Sequence, residues 1–136
     1  MRSQRIAIEL STSLYAPPNV VFDTWLDPLK MHQITAAPAV IDARVGGAYA
    51  LWGGSIRGEF VYLDRPRRIA QTWRTEDFGA HMDASRLELT FEGTVSGTRL
   101  VIVHGHIPIS LRELFVAAWR EHLIPRLQVG LTTPLG

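Results

Sequence analysis

Between residues 39 and 106 the hydropathy repeats every second residue, in short runs set so close together that they must pair as an antiparallel meander. Residues 85–92 place Leu87, Leu89 and Phe91 on one face and Arg86, Glu88, Thr90 and Glu92 on the other. Residues 99–106 repeat the pattern, and shorter runs cover 39–44, 49–52, 57–63 and 69–74. A further strand precedes them, with Ile6, Ile8 and Leu10 alternating against polar partners over 5–14. That makes seven strands, each dry on one face and wet on the other.

Two helical stretches follow the first strand. Pro17-Pro18 opens the first, where a missing N–H is harmless, and Asp27-Pro28 ends it after Val21, Phe22, Trp25 and Leu26. The second lies near 29–37. After the last strand, residues 111–128 carry Leu111, Leu114, Phe115, Ala118, Trp119, Leu123 and Leu127 on one broad face. Ser110 and Glu113 have capping-box spacing, and Pro125 is expected to kink this helix or break its last turn. The reading is a single α+β domain over residues 1–136, a curved sheet gripping a long C-terminal helix.

Gly46–Gly47, Gly53–Gly54 and Gly58 suggest a phosphate-binding loop, but no Lys followed by Ser or Thr comes after them and both flanks read as strands. They are expected to serve as turns. With formal charge +1, no strong field draws nucleic acid. Cysteine is absent, which removes thiolate chemistry and disulfides. The stretch MRSQRIAIELSTS has no apolar leader, and no run reaches the ~18 apolar residues of a membrane span. A cytoplasmic protein without nucleic-acid, membrane, metal or cofactor partners is expected. Thirteen of the fourteen basic residues are Arg, a bias that points to a GC-rich bacterial genome.

Extending strand parity to the polar residues sets Tyr49 with Leu51, Glu59 with Val61 and Leu63, Gln71 and Trp73 with Ile69, and His104 with Leu100 and Ile102. A cavity between sheet and helix would then be lined by Tyr49, Glu59, Gln71, Trp73, Leu87, Leu89, His104, Phe115 and Trp119. Glu59 and His104 form the candidate acid/base pair, because a carboxylate in an apolar cavity is pushed up and an imidazole opposes the push. His104-x-His106 has metal-ligand spacing but lacks a third ligand nearby, so no metal is expected.

Five segments occur in order: VVFDTWLDP, APAVIDARVGGAY, GGSIRGEFVYLDRPRRIAQTWRTEDF, TRLVIVHGHIP and AAWREHLIPRL. Together they resemble the family related to the C-terminal domain of the heat-shock protein 90 ATPase activator, within the START-like, helix-grip superfamily also called SRPBCC. The likeness runs from about Ile6 to Leu127. It implies a seven-stranded sheet around a C-terminal helix with an apolar cavity between, as in birch-pollen-allergen-like proteins and polyketide cyclases. The eukaryotic activator carries a further N-terminal domain, so stimulation of a chaperone ATPase is not expected of this chain alone. Relatives read Gly-Trp where this chain has Ala118–Trp119.

The leading expectation is therefore a small protein that binds an apolar or aromatic molecule under its helix, oriented by Glu59, Gln71 and His104. The alternatives are a cyclase, dehydratase or hydrolase using Glu59 and His104, and a co-chaperone-like module. Outward aromatics such as Trp52 and Tyr62 leave room for a homodimer through the sheet.

Overall fold

The structure, a computed structural model, describes residues 4–132. Strand β1 (Arg5–Leu14) is followed by α1 (Pro18–Trp25) and α2 (Pro28–Thr35). The meander then runs through β2 (Val40–Ile41), β3 (Ala48–Leu51), β4 (Ile56–Asp64), β5 (Arg68–Thr75), β6 (Ser85–Thr94) and β7 (Gly97–Pro108). All pairings are antiparallel in the order β1-β7-β6-β5-β4-β3-β2, so the first strand closes onto the last. The α+β helix-grip expectation holds.

Local chemistry sets the helix boundaries. Pro18 stands in the first turn of α1. Asp27 stops α1 and caps α2, its Oδ1 accepting from the Leu29 and Lys30 amides at 2.9 and 3.2 Å. Ala36, in the left-handed region at φ 58°, closes α2. A bidentate pair from Arg65 to Asp23, at 2.8 and 2.9 Å, ties the β4–β5 turn to α1.

Two bulges interrupt the strand alternation. Phe60 pairs with Gln71 and Tyr62 with Ala70, which leaves Val61 as an extra residue in β4. Phe60 is thus buried while Glu59, Val61 and Tyr62 are exposed. In β7, Gly105 and His106 together oppose Ala7, and His106 adopts φ 55°. The side chain of Ile107 then turns inward, while that of His106 turns out to solvent.

The C-terminal helix differs from expectation at both ends. Ser110 makes no side-chain cap; the chain tightens through a 3₁₀ turn over Ile109–Leu111, and α3 (Arg112–Ala117) starts from Leu111. Pro125 does not break the helix. A π-helical segment, Ala118–Leu123, precedes α4 (Ile124–Thr132), and its wider turn makes room for the proline ring, which would otherwise crowd the Glu121 carbonyl. The buried residues Phe115, Trp119, Leu123, Leu127 and Leu131 recur strictly every fourth position. In an unbroken α-helix that spacing drifts about 40° per step, or about 160° over four steps, and would wind away from the sheet. The π segment takes up drift and keeps the ridge in line. Leu114, placed on this face by the sequence, is instead 49% exposed.

Around Gly58 side chains replace the β4–β5 ladder. The Glu59 amide donates to Thr72 Oγ1 at 2.9 Å, and the Tyr49 hydroxyl donates to the Thr72 carbonyl at 2.5 Å. A Cβ on Gly58 would stand 2.2 Å from that carbonyl oxygen. Gly58→Ala is therefore expected to lower unfolding stability by about 2 kcal/mol or more, an overpacking effect. Gly93→Ala, whose added carbon meets nothing closer than 3.7 Å, serves as control in urea titrations. Equal stability of the two variants would contradict this account.

Candidate functional site

The concave side of the sheet faces the C-terminal helix across a column of rings. Trp25 of α1, Trp73 of β5 and Trp119 of the π segment stack on one another, with centroids 5.7 to 6.5 Å apart and planes within 29°. Tyr49 adjoins Trp73 at 6.3 Å, and Phe78, from the loop after β5, covers Phe115 at 5.9 Å. Trp73, Phe115 and Trp119 are each at most 4% exposed. The space directly beneath the helix is filled by protein.

A hydrogen-bond chain crosses this packing. Trp119 Nε1–H donates to His104 Nδ1 at 3.0 Å, and His104 Nε2 lies 2.8 Å from Ser85 Oγ. Ser85 donates its single proton to the Trp73 carbonyl at 2.6 Å. Each donor therefore dictates the next. His104 must be neutral, with its proton on Nε2 donated to Ser85. Burial lowers its pKa from the usual 6.5 to about 3. Ser85 and His104 have the composition of a nucleophile–base dyad, yet the serine proton points away from the imidazole and neither residue is exposed. The pair is built to hold structure.

A second chain runs beside the first. Trp25 Nε1–H donates to Gln71 Oε1 at 2.8 Å, and Gln71 lies beside the Tyr49 hydroxyl. Burial raises the Tyr49 phenol, with Gln71 opposing the shift. No buried side-chain polar atom among the described residues lacks a partner.

Tyr49, Gln71, Trp73, Leu87, Leu89, His104, Phe115 and Trp119 are all buried in the region under the helix. Leu87 stands opposite His104 on β7 and opposite Gln71 on β5. Glu59 does not join them. The residue is exposed on the outer face, in a depression of about 630 Å³ shared with Arg57 and Arg74. Its strand lies three places from that of His104, about 14 Å at the usual spacing, so no acid/base pair forms. The Val61 bulge is the reason: parity carried back from Leu63 changes sign across it. Nor do His104 and His106 share a face, and among the described residues no three His, Asp or Glu gather closely enough to hold a metal ion. Ser85 and Trp25 were not among the expected lining residues. Parity with Leu87 and Leu89 puts Ser85 on the inner face.

Among the described residues, three solvent-open concavities bear on the site. Beside the helix, about 240 Å³ is walled by Ile56, Trp73, Leu114, Phe115, Ala118 and Trp119, with Glu76 and Asp77 at its mouth. A groove of about 1080 Å³ runs between α1, α2 and α4, with Tyr15, Val20, Ile34, Lys30, Glu121 and Arg126 among its walls. The third is the depression holding Glu59.

The His104 arrangement has a pH signature. Between pH 6.5 and 3 the unfolded chain binds a proton that the folded chain refuses, so this stability is full above 6.5 and is lost as pH falls toward 3. The loss is up to about 1.4 kcal/mol per pH unit. His104→Gln, which can accept from Trp119 and donate to Ser85 without titrating, is expected to remove that part of the slope in urea unfolding from pH 7 to 4. An unchanged slope would refute the assignment.

The model of the activator of Hsp90 ATPase homolog 1-like proteins matches residues 15–131. An uncharacterized protein of Schizosaccharomyces pombe is 32% identical over 109 residues, covering 80% of this chain and 32% of the relative. An activator of 90 kDa heat shock protein ATPase homolog from Dictyostelium discoideum is 27% identical over 124 residues, covering 89% and 32%. The chain thus spans about a third of the length of these curated relatives. Among solved structures, an HSP90 activator from Plasmodium falciparum superposes with TM-score 0.83 at 26% identity, covering 91% of this chain and 94% of that one. A protein from Chromobacterium violaceum gives 0.76 at 26% identity, covering 93% and 97%. On the length of the family match and the shared fold, the chain belongs to the activator of Hsp90 ATPase homolog 1-like family.

Proposed function

We propose that this chain is a co-chaperone-like module that engages an Hsp90-type chaperone through its outer surface. The observation that carries this reading is the filled interior: Trp25, Trp73, Phe115 and Trp119 occupy the place where a helix-grip protein would hold a large guest. Similarity to an activator homologue and to a solved HSP90 activator over almost its whole length supports the choice of partner. The groove between α1, α2 and α4 suits an acidic amphipathic segment. Apolar Tyr15, Val20 and Ile34 form its floor, and Lys30 and Arg126 outnumber the single carboxylate Glu121.

Titration calorimetry with the Hsp90-type chaperone of the same organism tests this. The expected result is a 1:1 complex with Kd on the order of micromolar. Reversing two rim charges, in Lys30→Glu with Arg126→Glu, is expected to weaken the complex about tenfold. Absence of any complex at a chaperone concentration of about 100 µM, well above that Kd, would overturn the proposal.

The pocket beside the helix favours a second reading, the binding of a small apolar molecule. At about 240 Å³ it falls between a cavity of ~150 Å³ that takes benzene and the ~300 Å³ at which drug-sized sites begin. One or two rings fit; a polyketide does not. Indole N–H resonances of Trp73 and Trp119 would report entry, and invariance of both with millimolar benzyl alcohol would count against it.

A further inference from the structure

Resting on the small-molecule reading, we infer that the pocket beside the C-terminal helix selects organic monocations with a compact aromatic body. Its walls offer rings, and the two hydroxyls among its lining residues already donate elsewhere, Ser55 to the Trp52 carbonyl and Thr75 to Asp77 Oδ2. The Trp119 indole N–H is committed to His104, and every buried polar side-chain atom among the described residues is already satisfied. A neutral polar ligand or a carboxylate would surrender its hydration there without recompense. What discriminates between ligands is therefore the mouth.

That mouth is anionic. Glu76 and Asp77 are its charged lining residues, both exposed, and no ion pair engages either of them among the described residues. Asp77 Oδ2 accepts from the Thr75 hydroxyl at 3.2 Å. The neighbouring guanidiniums form no ion pair with either carboxylate. Arg74 donates to the Gly79 and Met82 carbonyls and lies 5.6 Å over the Phe78 ring, while Arg57 donates to the Gly54 carbonyl. A cation at the mouth would meet two carboxylates, with the aromatic residues Trp73, Phe115 and Trp119 lining the pocket behind them, an arrangement that favours positive charge over negative. Ala118 adds only a methyl group to the wall, and the helix widens into its π segment at this residue.

Three probes of one shape separate charge from fit: 2-phenylethylamine as cation, 2-phenylethanol as neutral isostere and phenylacetate as anion. Each is titrated at pH 7 into the full chain while the Trp73 and Trp119 indole ¹H–¹⁵N signals are followed. The amine is expected to bind about fivefold tighter than the alcohol, and the acid weakest of the three, with the gap narrowing as salt rises. In the Glu76→Gln, Asp77→Asn double variant, altered only at exposed positions, the amine should fall to the affinity of the alcohol. Ala118→Leu should abolish binding of all three. Equal affinity of amine and alcohol, or tightest binding of phenylacetate, overturns the charge selection and leaves the pocket standing. No response to any probe overturns the pocket reading and this inference with it.

Discussion

The hydrogen bond from the Trp119 indole to His104 is the constraint on which the remaining structure depends. It is a buried polar contact that ties the C-terminal helix to β7, and its direction sets everything behind it: the imidazole tautomer, the proton given to Ser85, and the proton Ser85 gives to the Trp73 carbonyl. One net hydrogen bond is worth about 1 kcal/mol, but a buried donor left without an acceptor costs about 1–3 kcal/mol. A chain in which every member has one role therefore tolerates few substitutions. It also holds the three tryptophan rings in stacking distance, since two of them are attached to its ends.

This network settles what the interior is for. An imidazole held neutral and a serine whose proton is pledged to a carbonyl are poor tools for catalysis, and Glu59 is on the far side of the sheet. The same residues serve well as a rivet between helix and strands. With the interior given to cohesion, what stays open among the described residues is the surface and the small recess beside the helix.

Much of the fold was legible in the chain. Seven alternating runs, two short helices between the first and second strands, and one apolar-faced helix at the end are all present in the order read. What parity could not deliver was the sign of each face past a bulge. Val61 and the Gly105–His106 pair each add a residue, and a period of two converts one extra residue into a complete inversion; Glu59 was misplaced for this reason, while Gln71 and His104, on the uninterrupted side, were not. At the C-terminus, the reading of Pro125 treated the helix as uniform. The signal that corrects it lies in the chain itself: five large apolar residues at a strict spacing of four do not suit a 3.6-residue repeat. Ser110 had the right spacing for a cap, but the chain closes its first turn with backbone bonds.

The straight ridge from Phe115 to Leu131 has a further consequence. Because one file of fully buried side chains carries the centre of the anchoring, the opposite side of the helix has no duty toward the interior, and Arg112, Glu113, Arg120 and Glu121 stand on that outer side. Descendants of such a domain are free to rewrite the exterior while inheriting the rivet unchanged. Kinship of scaffold and divergence of clientele are then compatible outcomes of a single geometric economy.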